Sequence, residues 1–60
     1  MNEATPTELI ELRLKQQGKK KGWLADQLDI TPQYLSMIFS GTRALPDHVK
    51  ASAYRILGIN

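Results

Sequence analysis

Lys21-Gly-Trp-Leu-Ala-Asp-Gln-Leu-Asp-Ile-Thr-Pro-Gln-Tyr-Leu-Ser-Met-Ile-Phe-Ser-Gly41 is the stretch whose reading decides the fold. It reads as two short helices locked at a steep angle. Leu24 and Leu28 are four apart and share one side of the first of them. Ala25 lies beside them, and its methyl group lets a second helix cross closely. Asp29 closes that helix, because Asp tolerates the left-handed conformation better than most residues with a Cβ. Ile30 is an apolar plug in the turn. Thr31-Pro32 opens the next helix with a capping hydroxyl and a proline at the first position, where no N–H is needed. Leu35, Ile38 and Phe39 point back to the core, and Gly41 stops the helix.

Upstream, Thr5-Pro6-Thr7-Glu8 combines a capping hydroxyl, a first-position proline and a Glu three residues after the cap. A helix is expected from there to about Gln17, with Leu9, Ile10, Leu12 and Leu14 on a broad apolar arc and Gly18 as its stop. Arg13 falls near the middle of that arc and must snorkel or pair with a carboxylate. Lys19-Lys20 is a short link. Downstream, Thr42 to Leu45 is a loop. Pro46-Asp47 starts a further helix ending at Leu57-Gly58, with Val49, Ala53, Ile56 and Leu57 inward. Trp23 lies on the flank of its helix and is expected to pack against the first or last one. No strand, repeat or internal boundary is visible, so residues 1–60 form a single all-α domain of four helices, or five.

With 60 residues the chain has room for one small domain and none for a separate effector domain. It has no cysteine, which excludes disulfides and thiolate metal sites and suits a reducing cytosol. No apolar run approaches the ~20 residues that span a bilayer. The N-terminal Met-Asn-Glu-Ala-Thr-Pro-Thr-Glu is not a secretory signal. Net charge is only +2, yet Lys19, Lys20 and Lys21 are consecutive and Arg43 follows the motif, while the acids lie mainly at Glu3, Glu8 and Glu11. His48 has no second ligand at metal spacing and reads as a surface or partly packed side chain. Without a Cys nucleophile, a supported His-Asp-Ser set or a phosphate loop, no enzyme activity, cofactor, metal or small-molecule ligand is expected.

On a helical wheel Gln33, Met37 and Ser40 lie opposite Leu35, Ile38 and Phe39, with Ser36 and Tyr34 flanking. Composition alone would let this be a plain solvated face. It can also read bases: Gln suits a bidentate contact with adenine, hydroxyls pair with donors or acceptors, and Met packs on a thymine methyl.

The order of residue types over about 21–41 resembles the helix-turn-helix of the Cro and lambda-repressor family of DNA-binding proteins. The positions that carry the resemblance are Leu24-Ala25, Leu28, Ile30, Leu35, Ile38 and Phe39-Ser40-Gly41. A looser likeness extends over roughly residues 8–58. The resemblance implies a compact lambda-repressor-like domain that reads the major groove with helix 31–40. It puts Pro32, Gln33, Tyr34 and Met37 toward the bases, with Ser36 beside them. Ser40, Thr42 and Arg43 would touch the far side of the groove. The start of the preceding helix would seat a phosphate, and Lys20 and Lys21, with Lys19 next to them, stand there. Three positions depart from the family pattern. Pro32 donates nothing where relatives often carry a polar side chain. Lys20-Lys21 replaces a hydroxyl cap and a Gln. Asp29 replaces a turn glycine.

The expected function is therefore that of a transcriptional regulator in the cytoplasm of a bacterium or phage-infected cell. It would be a Cro-type repressor whose paired protomers occlude an operator in double-stranded DNA, and the chain's stopping soon after the fourth helix resembles the family's minimal members. The pairing is expected to be weak, or to form on DNA, through the fourth helix and the tail at Ile59, unless Ile59 covers the monomer's own core. The alternatives are an antitoxin-type autoregulator and a protein-interaction module on the same fold.

Overall fold

A computed structural model describes residues 5–59; the readings that involve residues 1–4 and Asn60 lie outside the described residues. Four α-helices follow one another: α1 Pro6–Gln16, α2 Lys21–Gln27, α3 Pro32–Ser40 and α4 Asp47–Leu57. No strand and no fifth helix occur among the described residues.

The N-terminal signals act as expected. The Thr5 hydroxyl oxygen accepts the Glu8 N–H at 3.2 Å and the same hydroxyl donates to Glu8 Oε1 at 3.1 Å. Thr31 Oγ1 accepts the Tyr34 N–H at 3.0 Å, capping α3 ahead of Pro32. In contrast, α2 begins at Lys20 and α4 at Pro46 with no side-chain cap. Between α2 and α3 the backbone reverses through Asp29 at φ 58°, with the Ile30 N–H bonded to the Ala25 carbonyl at 3.0 Å. Ile30 thereby turns onto the core, where it is partly buried. Gly41 at φ 87° ends α3, and the Thr42 and Arg43 N–H groups both return to the Met37 carbonyl.

One continuous core results from Ile10 and Leu14 of α1, Leu24 and Ala25 of α2, Leu35 of α3, Ala53 and Leu57 of α4, and Ile59. α2 packs against α3, while α1 packs against both α3 and α4. The Ala25 side chain is fully buried, as a close crossing of α2 and α3 requires. Gln17 Nε2 donates to the Leu57 carbonyl at 2.8 Å, joining the end of α1 to the end of α4. The whole measures 33 × 24 × 19 Å.

The structure corrects the sequence reading at three residues. Leu12 is 50% exposed rather than part of the inward arc. Ile10 and Leu14 set the buried side of α1, and Leu12, two residues from each, lies about 200° around the helix from both. Arg13 is half-buried with no carboxylate partner among the described residues, so of its two expected fates only snorkelling remains. Ile59 is 8% exposed within the chain's own core and offers nothing to a second protomer. Its N–H bonds to the Tyr54 carbonyl at 2.8 Å and folds the tail back over α4.

Candidate functional site

α3 is held from behind. Leu35 and Ile38 are each 2% exposed and Phe39 is partly buried, which fixes the rotation of the helix about its axis. The opposite side consequently presents Pro32, Gln33, Ser36 and Ser40 to solvent, with Tyr34 and Met37 half-buried at its margins. Thr42 and Arg43 are exposed just past the helix end. These are the residues that the sequence placed on one surface, and the structure brings them onto one surface.

The hydroxyls there are already engaged. Ser40 Oγ donates to the Met37 carbonyl at 3.0 Å and lies 2.9 Å from Thr42 Oγ1. A hydroxyl has one proton, so with that of Ser40 on the carbonyl it is Thr42 that donates to Ser40. An anion reaching this point must draw one of those protons away, so Arg43 is the donor there that needs no rearrangement.

The three lysines prove unequal. Lys20 is exposed with no ion-pair partner among the described residues. Lys19 Nζ lies 4.9 Å from the centroid of the Trp23 ring, a cation–π contact that occupies the outer side of that half-buried indole. Lys21 is the most constrained: its Nζ is 3.0 Å from Glu11 Oε2 and 4.9 Å from the centroid of the Phe39 ring. It therefore links α1, α2 and α3. Both partners of the ion pair remain about half exposed, at 54% and 47%, so the pair adds at most about 1 kcal/mol to stability and can exchange with an incoming anion.

Two participants escaped the sequence reading. Lys15, Lys19 and Lys21 line one open groove together with Glu11 and Leu14, so Lys15 belongs to the cationic patch. Its sequence signal was its position in the last turn of α1, where the reversal at Gly18 brings the following lysines back alongside. Glu11 carries a negative charge into the same groove. A second open depression joins Glu8 and Glu11 to the end of α3 at Phe39, Ser40 and Gly41, so the acidic side of α1 borders one end of the α3 surface.

Comparison with protein families, with curated proteins and with solved structures finds no match to this chain. Among the described residues no group of three or more His, Asp or Glu side chains could hold a metal ion, and His48 is exposed on α4. No described helix is long and apolar enough to cross a membrane.

Proposed function

We propose that this chain is a sequence-specific duplex-DNA-binding regulator of the Cro and lambda-repressor kind, with α3 reading the major groove. The observation that carries the reading is the two-sidedness of α3. Its apolar side is locked into the core, while Gln33, Ser36 and Ser40 stand exposed and Met37 half-exposed on the other side. Lysines at the head of α2 and Arg43 beyond α3 supply charge for phosphates on either side of such a groove. Gln33 carries base discrimination, helped by Met37, Tyr34, Ser36 and Pro32. Lys19, Lys20, Lys21, Ser40, Thr42 and Arg43 hold the backbone. Repression follows by occlusion: two protomers on a two-fold symmetric operator, half-sites about 10 base pairs apart, exclude RNA polymerase. The setting is the cytosol of a bacterium or phage-infected cell, and the reading involves no catalysis, cofactor or small-molecule ligand.

Titrating a random duplex at several salt concentrations tests this directly. If each protomer neutralises about 3–5 phosphates, the logarithm of affinity falls against log salt with a slope of roughly −3 to −5 per protomer. Flat affinity across salt would end the DNA reading. A second reading draws on Leu12, the one exposed large hydrophobic side chain among the described residues, ringed by Glu8, Glu11 and Lys15. That surface suits a protein partner, as in an antitoxin-type autoregulator or an interaction module. Absence of duplex binding even at low salt favours the interaction module.

A further inference from the structure

α4 turns Val49, Ala53 and Leu57 inward and leaves Asp47, Ala51 and Arg55 exposed. These three are four residues apart in turn, so they form one line along the helix: an acid, a methyl group and a base. Among the described residues neither Asp47 nor Arg55 has an ion-pair partner, the one such pair being Lys21 with Glu11. Beside the line Asp47, Lys50, Ala51 and Tyr54 surround an open depression, with Lys50 Nζ 5.6 Å from the centroid of the Tyr54 ring.

We propose that this face of α4 docks a second copy of the chain, antiparallel, about a two-fold axis passing at Ala51. Across such an axis each residue meets the one equally far beyond Ala51 on the other copy. Asp47 then faces Arg55 of the second copy and Arg55 faces its Asp47, so both charges are matched twice over. His48, exposed, meets the half-buried Tyr54 of the second copy, also twice. A parallel arrangement would instead set Asp47 against Asp47 and Arg55 against Arg55, which like-charge repulsion disfavours. Ala51 at the centre lets the helix axes approach to the near end of the usual 8–10 Å range. The charge pattern therefore fixes both the partner and its direction.

α4 is 11 residues long, about 16 Å of helix, so the contact falls well short of the ~800 Å² per partner of a standard interface. The dimer is accordingly weak, with a Kd on the order of 10⁻⁴ M, and two protomers held on one duplex would add to it. Its purpose rests on the DNA reading above; its existence does not, and the test uses no DNA.

Sedimentation equilibrium of the full chain, from roughly 10 µM to 1 mM, should show monomer giving way to dimer. Ala51→Gln introduces a longer side chain with good helix propensity at an exposed position, so it should fold normally and weaken the dimer about tenfold or more. Asp47→Arg and Arg55→Asp should each remain monomeric alone, because each sets like charges together across the axis. Mixed in equal amounts they should associate, since the mixed pair restores both opposite-charge contacts. That recovery also shows that neither variant failed by unfolding, and far-UV circular dichroism of each checks it independently. Leu12→Ala should associate like the parent chain. A parent chain monomeric at 1 mM would overturn the proposal. So would association that survives Ala51→Gln, or folded charge variants that do not recover on mixing.

Discussion

Glu11 stands between two uses of Lys21. The ammonium is 3.0 Å from the carboxylate in the free protein, and the same group belongs to the patch proposed to meet phosphate. Because the pair is half exposed, Glu11→Gln should change stability by less than about 1 kcal/mol. It should tighten binding to any duplex several-fold and steepen the salt slope by up to about 0.9 per protomer, measured on random-sequence DNA. No change would mean that Lys21 never leaves Glu11 for DNA. Gln33→Ala is the opposite kind of test. It should cost about 1–3 kcal/mol on the preferred site and little on random duplex, and relax preference at one base pair in a selection from random sequences. Equal loss on every sequence would assign Gln33 to the backbone. Gln33 was legible because wheel position alone exposes it. The Lys21–Glu11 pair was not: it joins residues on two helices whose relative placement no local pattern encodes. Leu12 was misread for a related reason, since a run of leucines shows that a helix has an apolar side but not where that side ends.

At the scale of elements, boundaries were the most readable feature because they follow from local chemistry. Thr5-Pro6 and Thr31-Pro32 each open a helix, and Asp29 and Gly41 take positive φ where the chain must turn. The missing cap of α2 was equally visible, with Lys20 in a position that its side chain cannot satisfy. Lys20→Ser should therefore separate stability from binding. A hydroxyl there supplies about 1 kcal/mol, raising Tm by about 4–8 °C in a domain of this size. Loss of an unpaired charge should weaken binding to all duplexes alike. A variant both more stable and unchanged in DNA affinity would remove Lys20 from the proposed phosphate contacts. What local chemistry could not supply was the link between elements: the Gln17 side chain on the Leu57 carbonyl spans 40 positions in sequence.

For the molecule as a whole, size sets the sensitivity. A domain of 60 residues has roughly 3–9 kcal/mol of net stability. Leu35 is 2% exposed in the shared core, and Leu35→Ala should remove about 2–5 kcal/mol. Urea unfolding should show its midpoint falling by half or more with the m-value little changed. A shift under 1 kcal/mol would mean that α3 is not held by the core as described, and the fixed outward face of Gln33 would lose its basis. The single core was legible from the inward positions of all four helices. Ile59 was left open between two fates, because an apolar residue past a helix stop reads the same whether it folds home or waits for a partner.

The seam between α1 and α4 also bears on how the chain is made. Everything that packs α2 against α3 lies within about two dozen consecutive residues, whereas Ile10 and Leu14 share their core with Leu57 and Ile59. Synthesis at about 5–20 residues per second leaves roughly 2–10 s between the arrival of α1 and the arrival of its last packing partner. During that interval the first helix can only hold a bare apolar stripe to water or to a chaperone. The α2–α3 pair is ready first, and the nascent protein acquires its outward-facing surface before it acquires the closure that makes that surface rigid.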